Sequence, residues 1–307
     1  MIILGIETSH DDSSIAILED GKVLNMWSIS QIDIFKKYGG TIPEIASREH
    51  VKNIAILQNF LQEFIDLNKI DHIAYTSEPG LIGCLQVGFL FASALSIALN
   101  KPLIKINHLD GHFFSGAIDN KEIKYPALGL IVSGGHSQII YAKNKFDFQI
   151  VGETLDDAIG ECYDKVSSRL NLGFPGGPII DKIHASYKGK YLKLTKPKTS
   201  GEFDFSFSGI KTQVLNAFNN KKYESIEQIA ASFQEVAINY LIEKFKLAID
   251  KFKPESILLG GGVSANKYLR EKFKDLHKNT IFPEIKYATD NGAMIAMCAY
   301  LRMKKNS

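Results

Sequence analysis

Cysteine is scarce in this chain. Cys84, Cys162 and Cys298 stand far apart with no CxxC spacing, which argues against a disulfide framework and a cysteine zinc site, and for a reducing compartment. An excess of one charge is also missing. The 36 Lys and Arg against 34 Asp and Glu leave a formal net charge of +2, so a nucleic-acid partner has to be held by a local basic patch or an accessory subunit. Neither a GxxxxGK[ST] P-loop nor a GxGxxG fingerprint occurs, which removes the main support for P-loop NTPase and Rossmann readings. The longest apolar run, Val87–Leu99, falls short of a membrane span and predicts a buried helix. The opening MIILGIETS turns polar too early for a secretory signal. No membrane partner and a cytoplasmic location are therefore expected.

What is present is ordinary globular material, 45% apolar and 23% charged. At 307 residues the chain is long for one domain, and two lobes are expected. Ile2–Glu7, Ser14–Leu18 and Lys22–Ser30 read as strands, with Asp20-Gly21 as a hairpin turn. The pattern returns at Ala127–Val132, Gln138–Ala142 and Phe148–Val151, around the turn Ser133-Gly134-Gly135. Two such hairpins, each followed by helical sequence, predict a duplicated α/β lobe. Thr41 and Glu44 form a capping-box pattern with Pro43 between them. Asn53–Leu67, Asp156–Leu170 and Ser225–Phe252 have helical character, and Lys188–Lys211 reads as a basic, aromatic surface loop.

Glycine concentrates in four turns: EPGLIGCLQVG (78–88), SGGHSQ (133–138), FPGGPIID (174–181) and LLGGGVSANKYLR (258–270). Bare backbone in such turns lets N–H groups approach an anion, and a following helix adds its positive end. One turn alone is more often structural. Several in one chain point to a bound nucleotide. Nearby carboxylates, Asp11, Asp12, Asp164 and Asp181, suit ribose hydroxyls or a cation. For Asp12 the solvated or helix-capping reading is preferred, and Asp156-Asp157 suit a helix start.

INHLDGH sets His108 and His112 four apart, as a helical metal site requires. The metalloprotease motif needs Glu after the first histidine, and Leu109 stands there. A third ligand must come from afar. Asp290 in ATDNGAM is the best placed, at a helix start beside a glycine, with His10, His50 and His136 as alternatives.

Taken in order, LGIETSHDDSSIAI, YGGTIPEIASREH, INHLDGH, LIVSGGHSQ, GETLDDAIGECYDKV, GFPGGPIID, FSFSGIKT, LLGGGVSAN and TDNGAMIA resemble the bacterial TsaD proteins, the tRNA N6-adenosine threonylcarbamoyltransferases once described as glycoproteases. The likeness spans almost the whole chain. It implies an α/β, two-lobed sugar kinase/Hsp70/actin-like fold with duplicated RNase H-like lobes and an active site in the interlobe cleft. The expected lobes are residues 1–120 with 288–307, and 121–287 with a helical insertion. The implied reaction moves threonylcarbamoyl from threonylcarbamoyl-AMP to N6 of the adenosine 3′ of the anticodon, in tRNAs reading codons that begin with A. Position by position, the resemblance makes His108, His112 and Asp290 ligands of one divalent metal, iron first and zinc second. Ile131, Val132, Ser133, Gly134 and Gly135 would line the acyl-adenylate, and Asp164, Gly177, Asp181 and Asn266 would hold its adenosine. Asp11 occupies the family's N-terminal acidic position. His10 departs from the family's usual Cys, and Asp12-Ser13 from its Glu-Thr.

In that reading the metal acts as a Lewis acid on the carbamoyl carbonyl, with His108 and His112 central to catalysis. The SGG turn shares the oxyanion, and Asp11 or a substrate phosphate takes the proton from the attacking amine. The Lys188–Lys211 loop is expected to meet tRNA, through Lys196 and Lys198 among others. A TsaB-like heterodimer partner and a TsaE-like ATPase complete the implied set. The rivals are an ATP-driven chaperone-like binding module and a small-molecule kinase of the same fold.

Overall fold

The computed structural model describes residues 1–119 and 121–304. The chain divides into two compact units, Met1–Glu122 with Pro283–Ser307, and Ile123–Phe282.

The first unit is built on strands β1 (Ile2–Glu7), β2 (Asp12–Glu19) and β3 (Lys22–Ser30), short helix α1 (Ile32–Phe35), helix α2 (Pro43–Phe64), β4 (His72–Glu78), α3 (Ile82–Leu99), β5 (Leu103–Asn107) and α4 (His108–Phe114). Its sheet runs β3-β2-β1-β4-β5, with β1, β2 and β3 antiparallel and β4 and β5 parallel to β1. The second unit holds β6 (Ala127–Val132), β7 (Ser137–Asn144), β8 (Asp147–Glu153), helices α5 (Ile159–Arg169), α6 (Gly176–Ser186), α7 (Ser208–Asn219) and α8 (Ile226–Phe252), then β9 (Ser256–Gly260), α9 (Lys267–Lys274) and β10 (Thr280–Ile281). Its order, β10-β9-β6-β7-β8, repeats the first sheet: an antiparallel triplet followed by two parallel strands. The duplicated hairpin in the sequence is thus a duplicated sheet.

The central strands are apolar because both faces are covered. β6 is buried at every position, and its Leu128, Leu130 and Val132 join Phe233, Ile238 and Phe245 of α8 in the second unit's core. In the first unit Leu4, Ile6, Ile15 and Ile17 meet Ile54, Leu57 and Leu61 of α2. The last helix, α10 (Gly292–Met303), returns to the first unit and crosses β1 and β2. There Gly292 and Gly5 touch backbone to backbone: a Cβ on Gly5 would lie 2.0 Å from the Gly292 oxygen, and one on Gly292 would lie 2.5 Å from the Gly5 oxygen. Only glycine permits that approach. Ser14 Oγ accepts from the Gly292 N–H at 3.0 Å, which fixes the start of α10 on the sheet.

Several local expectations need correction. Thr41 does not cap α2. Ile42 is the cap residue and no side chain satisfies the first turn, while Glu44 pairs with Arg48. Apolar packing takes the place of a polar cap, since Ile42 and Ile45 lie against Phe35, Ala46 and Cys84. Helix α5 begins at Ile159, three residues after Asp156. Asp156 instead accepts from Ser206 Oγ and from the N–H groups of Phe207 and Ser208, so it serves the start of α7. That helix also takes Ser208–Lys211 out of the expected loop.

The apolar run at Val87–Leu99 is not a buried helix. Helix α3 buries one face, Cys84, Gly88, Ala92 and Leu95, and leaves Ile82, Phe89, Leu90 and Ile97 exposed. By length and composition it is apolar enough to cross a membrane. Val51, Ile56 and Phe60 extend the exposed apolar surface onto neighbouring α2.

Candidate metal centre and glycine turns

The candidate metal centre lies within the first unit. Asn107 ends β5 and its side chain accepts from the Leu109 and Asp110 N–H groups, which starts α4 at His108. One helical turn brings His112 beside His108, with ring centroids 4.6 Å apart. Asp290 sits directly before Asn291, the cap of α10, whose side chain accepts from Met294 N. The crossing of α10 over the sheet carries the Asp290 carboxylate to the histidines. Its Oδ1 lies 3.0 Å from His112 Nε2 and 3.5 Å from His108 Nε2. One ligand atom from each of the three residues falls within 4.8 Å of the others.

A cation about 2.1 Å from each donor would set neighbouring donors roughly 3.0 to 3.4 Å apart, for right-angled to tetrahedral arrangements. The His112–Asp290 distance of 3.0 Å falls in that span and the His108–Asp290 distance of 3.5 Å lies just above it. His112 Nδ1 is buried without a hydrogen-bond partner, so the ring is held from its Nε2 side. Two imidazoles and one carboxylate therefore fit a divalent ion and leave positions open for other oxygens.

Sequence reasoning missed Glu7, the last residue of β1. It is fully buried. Its Oε1 accepts from Ser9 N at 2.5 Å, and its Oε2 accepts from Thr76 Oγ1 at 2.5 Å and lies 3.1 Å from His108 Nδ1. An ionised carboxylate only accepts, so His108 donates an Nδ1–H to it and turns Nε2 toward Asp290. The available signal was a carboxylate closing a run of buried apolar strand residues. Ser9 Oγ, 3.1 Å from the same Nδ1, also escaped notice.

Charge in this cluster is tightly linked. Burial pushes the His108 pKa down, but the carboxylates of Asp290 and Glu7 outweigh it and raise it to about 9. Burial also lowers His112, and the Asp290 hydrogen bond does not restore it. For Asp290 burial acts upward, yet His108 and His112 hold it well below the usual carboxylate range. The same competition, with His108 as the stabilising charge, lowers Glu7.

The alternative ligands are engaged elsewhere. His50 is buried, with Nδ1 2.7 Å from Ser13 Oγ and Nε2 donating to the His10 carbonyl at 2.8 Å. His10 Nδ1 meets Asp11 Oδ1 at 2.9 Å. His136 belongs to the second unit. Asp11 is thus paired with His10 and supplies none of the three grouped ligand atoms. The reading of Asp12 as solvated or capping is overturned. It opens β2, its Oδ1 is buried without a partner, and burial raises its pKa to about 7.

The second unit gathers the remaining expected residues. Ser133 closes its turn by donating N–H to the His136 carbonyl and accepting His136 N–H on Oγ. Ile131 and Val132 are fully buried in β6, and Gly134 and Gly135 in the turn after them are exposed. At Gly134, Gly135 and Gly177 an added Cβ would meet nothing within 4 Å, and none has a left-handed φ. The fold does not require glycine at these three positions, which leaves bare backbone for an outside group. Asp164 Oδ1 accepts from Gly176 N at 2.7 Å, at the start of α6.

Asp181 and Asn266 are joined by a residue that the sequence did not reveal. Gln234, buried on α8, donates to Asp181 Oδ1 at 2.9 Å and accepts from Asn266 Nδ2 at 2.9 Å and Tyr163 OH at 3.0 Å. Asp181 Oδ2 also accepts Lys267 N, and Asn266 Oδ1 accepts Leu269 N. The pair is locked in place between α6, α8 and α9. A glutamine inside a long amphipathic helix carries no sequence signal for this role.

Comparison with known proteins gives the chain its family. Residues 22–297 match the family TsaD: tRNA N6-adenosine threonylcarbamoyltransferase. A protein of Mycoplasma mobile named tRNA N6-adenosine threonylcarbamoyltransferase is 62% identical over 307 residues, covering 100% of both chains. Proteins of the same name from Mycoplasmopsis agalactiae and Fusobacterium nucleatum are 59% and 48% identical, over 99% of this chain and 100% and 92% of theirs. Among solved structures, full-length HypF aligns with a TM-score of 0.64 at 12% identity, over 99% of this chain and 47% of that one. Component A of the Acidaminococcus fermentans (R)-2-hydroxyglutaryl-CoA dehydratase aligns at 0.58 and 14%, over 98% of each. These likenesses carry the fold alone, which is sugar kinase/Hsp70/actin-like. The sequence relatives and the family match carry more: the chain belongs to the TsaD family of tRNA N6-adenosine threonylcarbamoyltransferases.

Proposed function

We propose that the chain transfers threonylcarbamoyl from threonylcarbamoyl-AMP to N6 of the adenosine just 3′ of the anticodon, in tRNAs reading codons that begin with A. The observation that carries this reading is the His108–His112–Asp290 group, three ligand atoms within 4.8 Å, in a chain whose relatives share that name over their full length. A kinase or chaperone-like module of this fold would leave the group without a task, and the family match does not favour either.

The three side chains would hold one divalent ion, iron first and zinc second, since imidazole and carboxylate suit both. When bound, the ion supplies Lewis-acid polarisation of the carbamoyl carbonyl. The chain's own residues do the rest. Glu7 turns the His108 Nε2 lone pair outward. The N–H groups of Gly134 and Gly135 hold phosphate or oxyanion oxygens. Gly177 leaves room for the nucleoside at the start of α6, where Asp164 holds the backbone, and Asp181 and Asn266 accept and donate from fixed positions. The attacking amine loses a proton, for which the Asp11 carboxylate or a substrate phosphate oxygen is the acceptor. AMP departs as a stabilised anion and needs no acid.

The exposed face of α2 and α3 suits a TsaB-like protein partner, because a patch that includes Leu90, Phe89 and Ile97 gains by being covered. A TsaE-like ATPase belongs to the same proposal. A tRNA substrate puts the work in the cytoplasm. The test supplies threonylcarbamoyl-AMP and unmodified tRNA, with and without the partners, and reads the modified nucleoside by mass spectrometry. Absence of product under every combination would overturn the reading.

A further inference from the structure

A hollow of about 370 Å³ opens in the second unit between the end of α6, the strap that follows it, and α9. Its walls are aromatic. Tyr191 stacks on His184 at 5.8 Å and 13°, Tyr268 lies 4.3 Å from the same imidazole, and Tyr187 is 5.6 Å from Tyr191. Tyr191 remains 37% exposed.

The strap is built rather than draped. The Lys190 carbonyl accepts from Tyr187 OH at 3.0 Å and from Gln228 Nε2 at 2.8 Å, while Leu192 N donates to Ser232 Oγ at 2.7 Å. Gln228 and Ser232 are buried on α8. A Cβ on Gly189 would lie 2.4 Å from Tyr187 OH, so the strap runs tight against that ring. Buried polar groups are thus used to hold a partly exposed tyrosine at a fixed angle. The rim carries two cations beside two carboxylates, and of these Lys188 and Lys267 are exposed and form no ion pair among the described residues. The carboxylates are Glu271 and Asp181, the latter held by Gln234 and Lys267 N and given above to the adenosine, so the hollow abuts the proposed nucleoside position. Lys196, expected to meet nucleic acid, is paired with Glu243 and lies outside this hollow.

We infer that this hollow is a docking site for an unpaired nucleotide of the RNA substrate, with its base against Tyr191 and its phosphate at Lys188 and Lys267. Fixed aromatic walls with cations at the rim are what single-stranded nucleic acid recognition uses, and such stacking is tolerant of base identity. The inference rests on the tRNA reading above.

The experiment measures binding of an unmodified tRNA transcript to the full chain by fluorescence anisotropy across a salt series, with AMP binding followed separately. Tyr191→Ala is expected to weaken tRNA binding on the order of tenfold, and Tyr191→Phe to keep it. Lys188→Glu, a surface change that leaves the core intact, should lower the slope of log affinity against log salt by about one. AMP binding should not change in any of them. Wild-type tRNA affinity in Tyr191→Ala would overturn the inference. So would a parallel loss of AMP binding, which would assign the hollow to the acyl-adenylate. Failure of the functional reading looks different: the unmutated chain would bind no tRNA at any salt, and the inference would fall with it.

Discussion

Exchanging Glu7 for glutamine alters one buried atom and puts the wrong hydrogen against a proposed metal ligand. The carboxylate accepts from Ser9 N on Oε1 and from Thr76 Oγ1 on Oε2, the oxygen that faces His108 Nδ1. A glutamine can meet Ser9 N only with its carbonyl, which turns its NH2 toward Nδ1. That NH2 donates, so Nδ1 must accept and the His108 proton moves to Nε2, the atom beside Asp290. The flipped amide is no better, because two N–H groups then collide at Ser9. Loss of an outer partner of this kind costs about tenfold to a hundredfold in metal affinity, or about 1.4 to 2.7 kcal/mol. Competition for zinc against a chromophoric chelator, run above pH 9 where the unmutated His108 has already lost its second proton, measures the change. Nitrogen-15 shifts of His108 report its tautomer independently, and a thermal melt shows whether the fold survives. Zinc affinity within twofold of the unmutated chain, with the Nδ1–H form retained, would refute the reasoning.

Other outcomes follow from the same charges and surfaces. His108 titrates near 9 in the cation-free chain, so a proton must leave before Nε2 can bind an ion. Zinc affinity measured by the same competition should rise roughly tenfold per pH unit up to about pH 9 and then level. Asp12 is an acid whose folded pKa is raised to about 7, so its ionisation favours the unfolded chain as pH climbs from about 4 to about 7. Asp12→Asn should therefore add about 4 kcal/mol to unfolding free energy near pH 8, and little near pH 4, in denaturant titrations. On the outer face, Leu90→Asp with Ile97→Asp should abolish co-elution with a TsaB-like partner in gel filtration while the melting temperature holds, because both side chains are already exposed.

How much of this was legible depends on whether the signal was local. Strand periodicity, the Asp20-Gly21 turn and the hairpin repeated at Ala127–Val132 are short-range patterns, and both sheets follow them. The starts of helices proved harder. Thr41 and Glu44 satisfy a capping-box pattern, yet Ile42 packing against Phe35 sets the start of α2, a contact that no window of sequence contains. Apolar content was read as burial in Val87–Leu99. An apolar run tells that a residue prefers to leave water; it does not tell whether its own chain or another one covers it.

The candidate site divides along the same line. His108 and His112 were visible because helical spacing joins them, and Asp290 because a glycine helix start flags it. Glu7 and Gln234 were not visible, although each touches several site residues at once. Neither has a motif of its own, since what selects it is a set of partners brought together by separate strands and helices. Glu7 meets Ser9, Thr76 and His108 from three different segments, and Gln234 meets Tyr163, Asp181 and Asn266 from three more. Residues that face a ligand must keep particular chemistry at particular spacings, which sequence can show. Residues that orient them need only be buried, polar and satisfied, a condition that three-dimensional structure alone defines.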